Sequence, residues 1–137
     1  MSEWVPLPDG FLMQFPSFVV LAPPFIFHPE THKINFDEPN NYVVSKTEFG
    51  PAILVFTDRD LAKQFVIAAD MAGSVLITSI ADCSALGRLV RGVVRHGGPP
   101  PNILLDMSKG FAGRLISYEE ILSRTDPHRE ITFEASV

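Results

Sequence analysis

From residue 51 onward the chain alternates between short, unbroken apolar runs and longer stretches with a helical apolar period. Ile53-Leu54-Val55-Phe56 is continuous and of strand length, the pattern of a strand covered on both faces. Thr57 follows as an N-cap, with Asp60 three residues on in a capping-box-like arrangement. Leu61, Phe65 and Ala68 stand at i, i+4 and i+7 and so share one helix face. Gly73 suits the left-handed position that follows a helix. The unit then repeats in form. Val75-Leu76-Ile77 is a second apolar strand, Asp82 or Ser84 caps the next helix, and Leu86, Leu89, Val90 and Val93 form its stripe before Gly97. Past the loop Gly97-Gly98-Pro99-Pro100-Pro101, Ile103-Leu104-Leu105 is a third buried strand. Strand, helix, strand, helix, strand in this order predicts a parallel sheet joined by right-handed crossovers. Ser117 with Glu120 then opens a short helix carrying Ile121 and Leu122, Asp126-Pro127 ends it, and Ile131-Thr132-Phe133 adds a last strand.

The first third reads differently. Eight of the eleven phenylalanines lie between Phe11 and Phe56, among repeated prolines. Residues 17–21 favour a strand through Phe18, Val19 and Val20. Phe25-Ile26-Phe27 and Lys33-Ile34-Asn35-Phe36 flank the turn-prone His28-Pro29-Glu30-Thr31, which predicts a hairpin. Residues 42–45 form another short strand after the loop Pro39-Asn40-Asn41. The expected fold is α/β in a single domain over residues 1–137. Its parts are an aromatic, β-rich segment (1–50), a βαβαβ core with a mixed or mostly parallel sheet (51–107), and a C-terminal loop, helix and strand (108–137).

Composition narrows the functional classes. At 137 residues, one core can form without disulfides or structural metals. A net charge of −5 argues against nucleic acid and anionic membranes as partners. One cysteine, Cys83, excludes an internal disulfide framework and fits a reducing compartment, so a cytoplasmic location is expected. Met1-Ser2-Glu3-Trp4 lacks the basic start of a signal peptide. Pro16, Pro23 and Pro24 interrupt the apolar stretch 11–27, which therefore does not read as a membrane span.

The run Ala52-Ile53-Leu54-Val55-Phe56-Thr57 precedes a helix with an acid in its first turn, and a second strand–helix pair and a third apolar strand follow. Over Tyr42 to Met107 this pattern resembles the N-terminal domain of the SseB (enhanced serine sensitivity) family. The third strand departs from it, ending Asp106-Met107 where that family tends to Asn-Pro. The resemblance implies a small bacterial α/β module with no settled catalytic activity, and it transfers no active-site residues.

Ligands of open parallel sheets bind beyond the carboxyl ends of the strands. That edge would collect Thr57 and Asp58, then Ser79, Asp82 and Cys83, then Asp106, Ser108 and Lys109. Asp58, Asp82 and Asp106 follow three different strands; they suit a divalent cation, and equally suit helix capping and a strand end. Cys83 lies at a helix start, where a thiolate is favoured, and Cys83-Ser84-Ala85-Leu86-Gly87-Arg88 loosely resembles the anion-cradling loops of rhodaneses and cysteine phosphatases. No base is paired with it in sequence, and inert packing is the plainer reading. Arg88, Arg91 and Arg95 share a helix face, as a docking surface for an acidic partner or phosphates, or simply as a solvated face. His28 and His32 lack metal-site spacing and read as surface turn residues. The expectation is a non-catalytic binding or regulatory module without a cofactor, acting on a protein partner or as a homodimer through the arginines or the Phe-rich segment. The alternative is a small enzyme using Cys83, or the three aspartates with a cation, at the carboxyl edge.

Overall fold

The computed structural model describes residues 3–6, 12–107 and 113–125. In chain order the elements are β1 (Glu3–Pro6), β2 (Leu12–Phe15), β3 (Ser17–Ala22), β4 (Asn41–Tyr42), β5 (Val44–Thr47), β6 (Gly50–Phe56), α1 (Arg59–Ala68), β7 (Leu76–Ile80), α2 (Cys83–Arg95), β8 (Asn102–Leu105), β9 (Arg114–Ile116) and α3 (Tyr118–Thr125). β1 and β2 form a separate antiparallel pair. The remaining strands build one mixed sheet, the centre of a single α/β domain.

Three apolar runs, β6, β7 and β8, point the same way, but only β6 and β8 are neighbours. β3 enters antiparallel between β6 and β7, pairing Phe18 with Phe56 on one side and Ser17 to Leu21 with Ile80 to Leu76 on the other. The order across the sheet is therefore β7, β3, β6, β8, β9. β3 and β6 diverge toward the far end, and β4 and β5 fill the fork. There the Val43 N–H donates to the Val20 carbonyl at 2.9 Å while its own carbonyl accepts from Leu54 at 3.2 Å.

Alternation along the strands sorts the core into two layers, because successive side chains point to opposite faces. Val19, Leu21, Ile53, Val55, Ile103 and Leu105 face α2 and α3, meeting Leu86, Leu89, Val90 and Ile121. Val20, Ala52, Leu54, Phe56 and Leu104 face α1, meeting Ala62 and Val66. β6 is buried on both sides, as its unbroken apolar run predicts. The stripe of α2 also lies where its period puts it. In α1, Leu61 and Phe65 pack on the core as expected, Ala62 and Val66 are the more deeply buried, and Ala68 is exposed.

The ends of α1 differ from expectation too. Asp58, not Thr57, is the N-cap, its carboxylate accepting from the Asp60 N–H at 2.7 Å. The helix stops at Ala68, well before Gly73. Asp82 caps α2 through the Ala85 N–H at 2.8 Å, and Gly97 follows it with φ +89°. Ser117 accepts from the Glu120 N–H at 3.2 Å at the start of α3. β9 was not foreseen, and the strand expected at residues 131–133 lies outside the described residues.

Residues 25–37 form an excursion on the α2 face, with Phe25, Ile34 and Phe36 in the core. The expected hairpin shrinks to a single bridge, Phe27 to Ile34, closed by the His28 N–H to the Lys33 carbonyl at 2.7 Å. Its end is fastened to α2 at Gly92, where an added Cβ would stand 2.5 Å from the Phe36 carbonyl oxygen. His96 Nε2 lies 2.9 Å from the Asp37 carbonyl oxygen, and Arg95 lies 3.9 Å from the Asp37 carboxylate. The Phe-rich segment is therefore largely core where its side chains are described: Phe15 is buried and Phe18 and Phe25 pack on the core. Phe27 stays 46% exposed. Among the described residues no helix is long and apolar enough to cross a membrane.

Candidate functional site

Two regions qualify as sites, and they are finished in opposite ways. The first is the carboxyl edge of β6, β7 and β8. There Asp106 ends β8 in a left-handed conformation (φ +57°), which Asp tolerates better than most residues. Its N–H continues the ladder to the Val55 carbonyl at 2.9 Å. Its carboxylate reaches back to β6, accepting from the Thr57 N–H at 2.7 Å and the Thr57 hydroxyl at 2.8 Å. Thr57 is thus the partner of a residue 49 positions away and not a helix cap. Beside this clasp, the Arg59 guanidinium lies 4.9 Å over the Phe18 ring, a cation–π contact that covers the end of β3.

Of the residues expected here, Thr57 and Asp106 are brought together. Asp58 and Asp82 are each engaged by their own helix. β3 sets β7 two strand spacings from β6, roughly 10 Å, so Asp82 and Cys83 are held apart from the clasp. Cys83 is half-buried and packs against the core on the α2 side. Among the described residues no group of three or more His, Cys, Asp or Glu could hold a metal ion. Ser108 and Lys109 lie outside the described residues.

The second region is a pocket of about 490 Å³ beside β7. β7 pairs with β3 on one side only; among the described residues no strand pairs with its other edge. The excursion, β7 and the first turns of α2 wall the pocket. His28, His32 and Lys33 come from the excursion and Arg88 from α2, with Thr31 and Thr78 beside them and Ser79 at the strand's edge. Phe27, Ile34, Phe36, Leu76 and two alanines supply the apolar wall. Among the described residues no Asp or Glu lines it. Arg88 Nη1 donates to the Ser84 hydroxyl at 3.2 Å, one turn back along the helix.

This placement divides the three arginines expected to act as one surface. Arg88 belongs to the pocket, Arg95 pairs with Asp37, and Arg91 is half-buried between them. His28, His32 and Lys33, read from sequence as turn residues, are wall residues of the pocket. The available signal was the grouping of His28, His32 and Lys33 within six positions of an acidic chain, directly after Phe27.

Another pocket, about 320 Å³ and chiefly apolar, lies at the opposite end of the sheet, lined by Tyr42, Val44, Pro51, Val93 and Pro101 among others. Among the described residues the Tyr42 hydroxyl is buried with no hydrogen bond of good geometry; burial pushes its ionisation well above the ordinary phenol value, and the nearby Asn40 side chain opposes this only in part. Thr57, Asp58, Asp82, Cys83 and Asp106 line neither pocket. No protein-family model matches this chain, and no curated protein matches it.

Proposed function

We propose that the chain is a cytoplasmic, non-catalytic binding module of the SseB kind, which takes an extended segment of an acidic partner protein along the open edge of β7. The observation that carries this reading is the five-residue edge of β7, with which no strand pairs among the described residues, and the basic, concave pocket beside it. Exposed edge strands are normally short or blunted by Lys, Pro or bulges. The other edge of the sheet, β9, has three residues and begins with Arg114. β7 reads Leu-Ile-Thr-Ser-Ile and carries neither charge nor proline. Such an edge pairs with an added strand through main-chain hydrogen bonds, while neighbouring pockets select side chains.

Charge selects the partner. A second copy docked about a two-fold axis sets the same patch against itself, so Lys33 and Arg88 would meet their own kind. An acidic segment avoids that repulsion. The polar groups of the carboxyl edge support a binding role over catalysis, since Thr57 and Asp106 satisfy one another and Asp82 caps a helix.

Selection of extended peptides from a displayed random library, followed by amide hydrogen exchange, tests this. The expected binders are acidic and slow exchange at residues 76–80, and Ser79→Lys, which blunts the edge at an exposed position, abolishes the effect. Binders that leave β7 exchange unchanged, or a concentration-dependent dimer that buries β7, would refute the reading.

A further inference from the structure

We propose that the pocket between the excursion, β7 and α2 binds a phosphate monoester carried on a compact apolar or aromatic group. Donor-bearing residues line it from three elements: His28, Thr31, His32 and Lys33 from the excursion, Thr78 from the strand, and Arg88 from the helix, with Ser79 at the strand's edge. A carboxylate is satisfied by one guanidinium fork, whereas the three outer oxygens of a phosphate monoester accept from several directions. The local charge is also distinctive. The chain carries −5 overall, yet among the described residues the lining holds Lys33, Arg88 and two imidazoles and no acid. Glu30 of the same turn is exposed and outside the lining, and the Asp82 carboxylate is engaged by the Ala85 N–H.

The turn itself is built to bring its basic residues together. His32 takes a left-handed conformation (φ +59°) and donates its N–H to the His28 carbonyl at 3.0 Å, while the Lys33 N–H is held by the Thr31 hydroxyl at 3.3 Å. A volume of about 490 Å³ is that of a small-ligand site and leaves room beyond a bare phosphate ion. Phe27, Ile34 and Leu76 face that room, so the group bearing the phosphate is apolar or aromatic. On the strand-addition reading this group is a phosphorylated side chain of the docked segment, but the pocket can be tested without it.

The test is a residue-resolved NMR titration of the full chain with phenyl phosphate, and with inorganic phosphate as the bare ion. Saturable shifts are expected at Lys33, Thr78, Ser79 and Arg88, with phenyl phosphate the tighter ligand. Lys33→Gln and Arg88→Gln should each weaken it about tenfold. Lys63→Gln, which removes the same charge from exposed α1 on the other face, should leave it unchanged. Absent shifts, shifts that never saturate, or equal weakening by Lys63→Gln would overturn the proposal. Extended peptides with and without phosphotyrosine separate the two ideas. If phenyl phosphate binds the pocket and no peptide slows β7 exchange, the phosphate site stands and strand addition fails. If peptides slow β7 exchange equally with and without phosphate, strand addition stands and the phosphate site fails.

Discussion

The carboxyl ends of β6 and β8 and the outer edge of β7 belong to the same sheet, yet one is closed by its own side chains and the other is left open. At the first, Asp106 takes both the N–H and the hydroxyl of Thr57, Asp58 and Asp82 cap their helices, and Arg59 covers Phe18. At the second, an uncharged strand edge stands beside a pocket with basic side chains and, among the described residues, no lining acid. The cause is β3. In a purely parallel sheet the crevice between β6 and β7 would be the natural ligand site. An antiparallel strand in that position fills it and displaces β7 to the margin. The difference teaches that the direction of the strands does not by itself locate a site; the identity of the neighbours decides which edge stays available.

The largest stability effect should come from breaking the closed end. Asp106→Ala removes two hydrogen bonds to a carboxylate and leaves a residue less suited to positive φ, so unfolding by urea should show a loss of about 3 kcal/mol. Phenyl phosphate affinity should not change. Gly92→Ala comes next, because its Cβ must displace the Phe36 carbonyl that fastens the excursion to α2. A loss of about 2 kcal/mol is expected, together with weaker phenyl phosphate binding, since one wall of the pocket moves.

Tyr42→Phe acts in the other direction. Removing a buried hydroxyl that makes no hydrogen bond of good geometry should leave the fold as stable or stabilise it by up to about 1 kcal/mol. Because burial raises the phenol's ionisation above its ordinary value of 10.0, the folded state holds its proton longer than the unfolded state. Stability is therefore lost as the solution becomes more alkaline than that value, and urea midpoints against pH should fall more steeply in the wild type than in Tyr42→Phe. The smallest stability effect is expected for Arg88→Gln, within about 0.5 kcal/mol, as for a surface change away from caps and core. Its effect belongs to binding alone.

Much of the interior was legible because burial on both faces leaves a continuous apolar run. β6, β7 and β8 follow from Ile53 to Phe56, Leu76 and Ile77, and Ile103 to Leu105, and the stripe of α2 follows from its period. What escaped was non-local. Thr57 looks like a cap by its neighbours, but its hydroxyl is taken by Asp106, 49 residues on, and the cap passes to Asp58. Residues 17–21 read as a strand from Val and Phe, yet nothing local says that they lie between β6 and β7. β9 is three residues long and too short to announce itself by alternation. The basic pocket was half visible: Arg88 was singled out, but with Arg91 and Arg95 on its own helix, whereas its working neighbours lie more than 50 residues earlier in the chain.

The most direct test of the contrast between the two regions is an amide-resolved titration of the folded chain with phenyl phosphate. The account predicts shifts that saturate at Lys33, Thr78, Ser79 and Arg88 while Thr57 and Asp106 stay unmoved. Shifts centred on Thr57 and Asp106, with Thr78 and Ser79 unchanged, would contradict it.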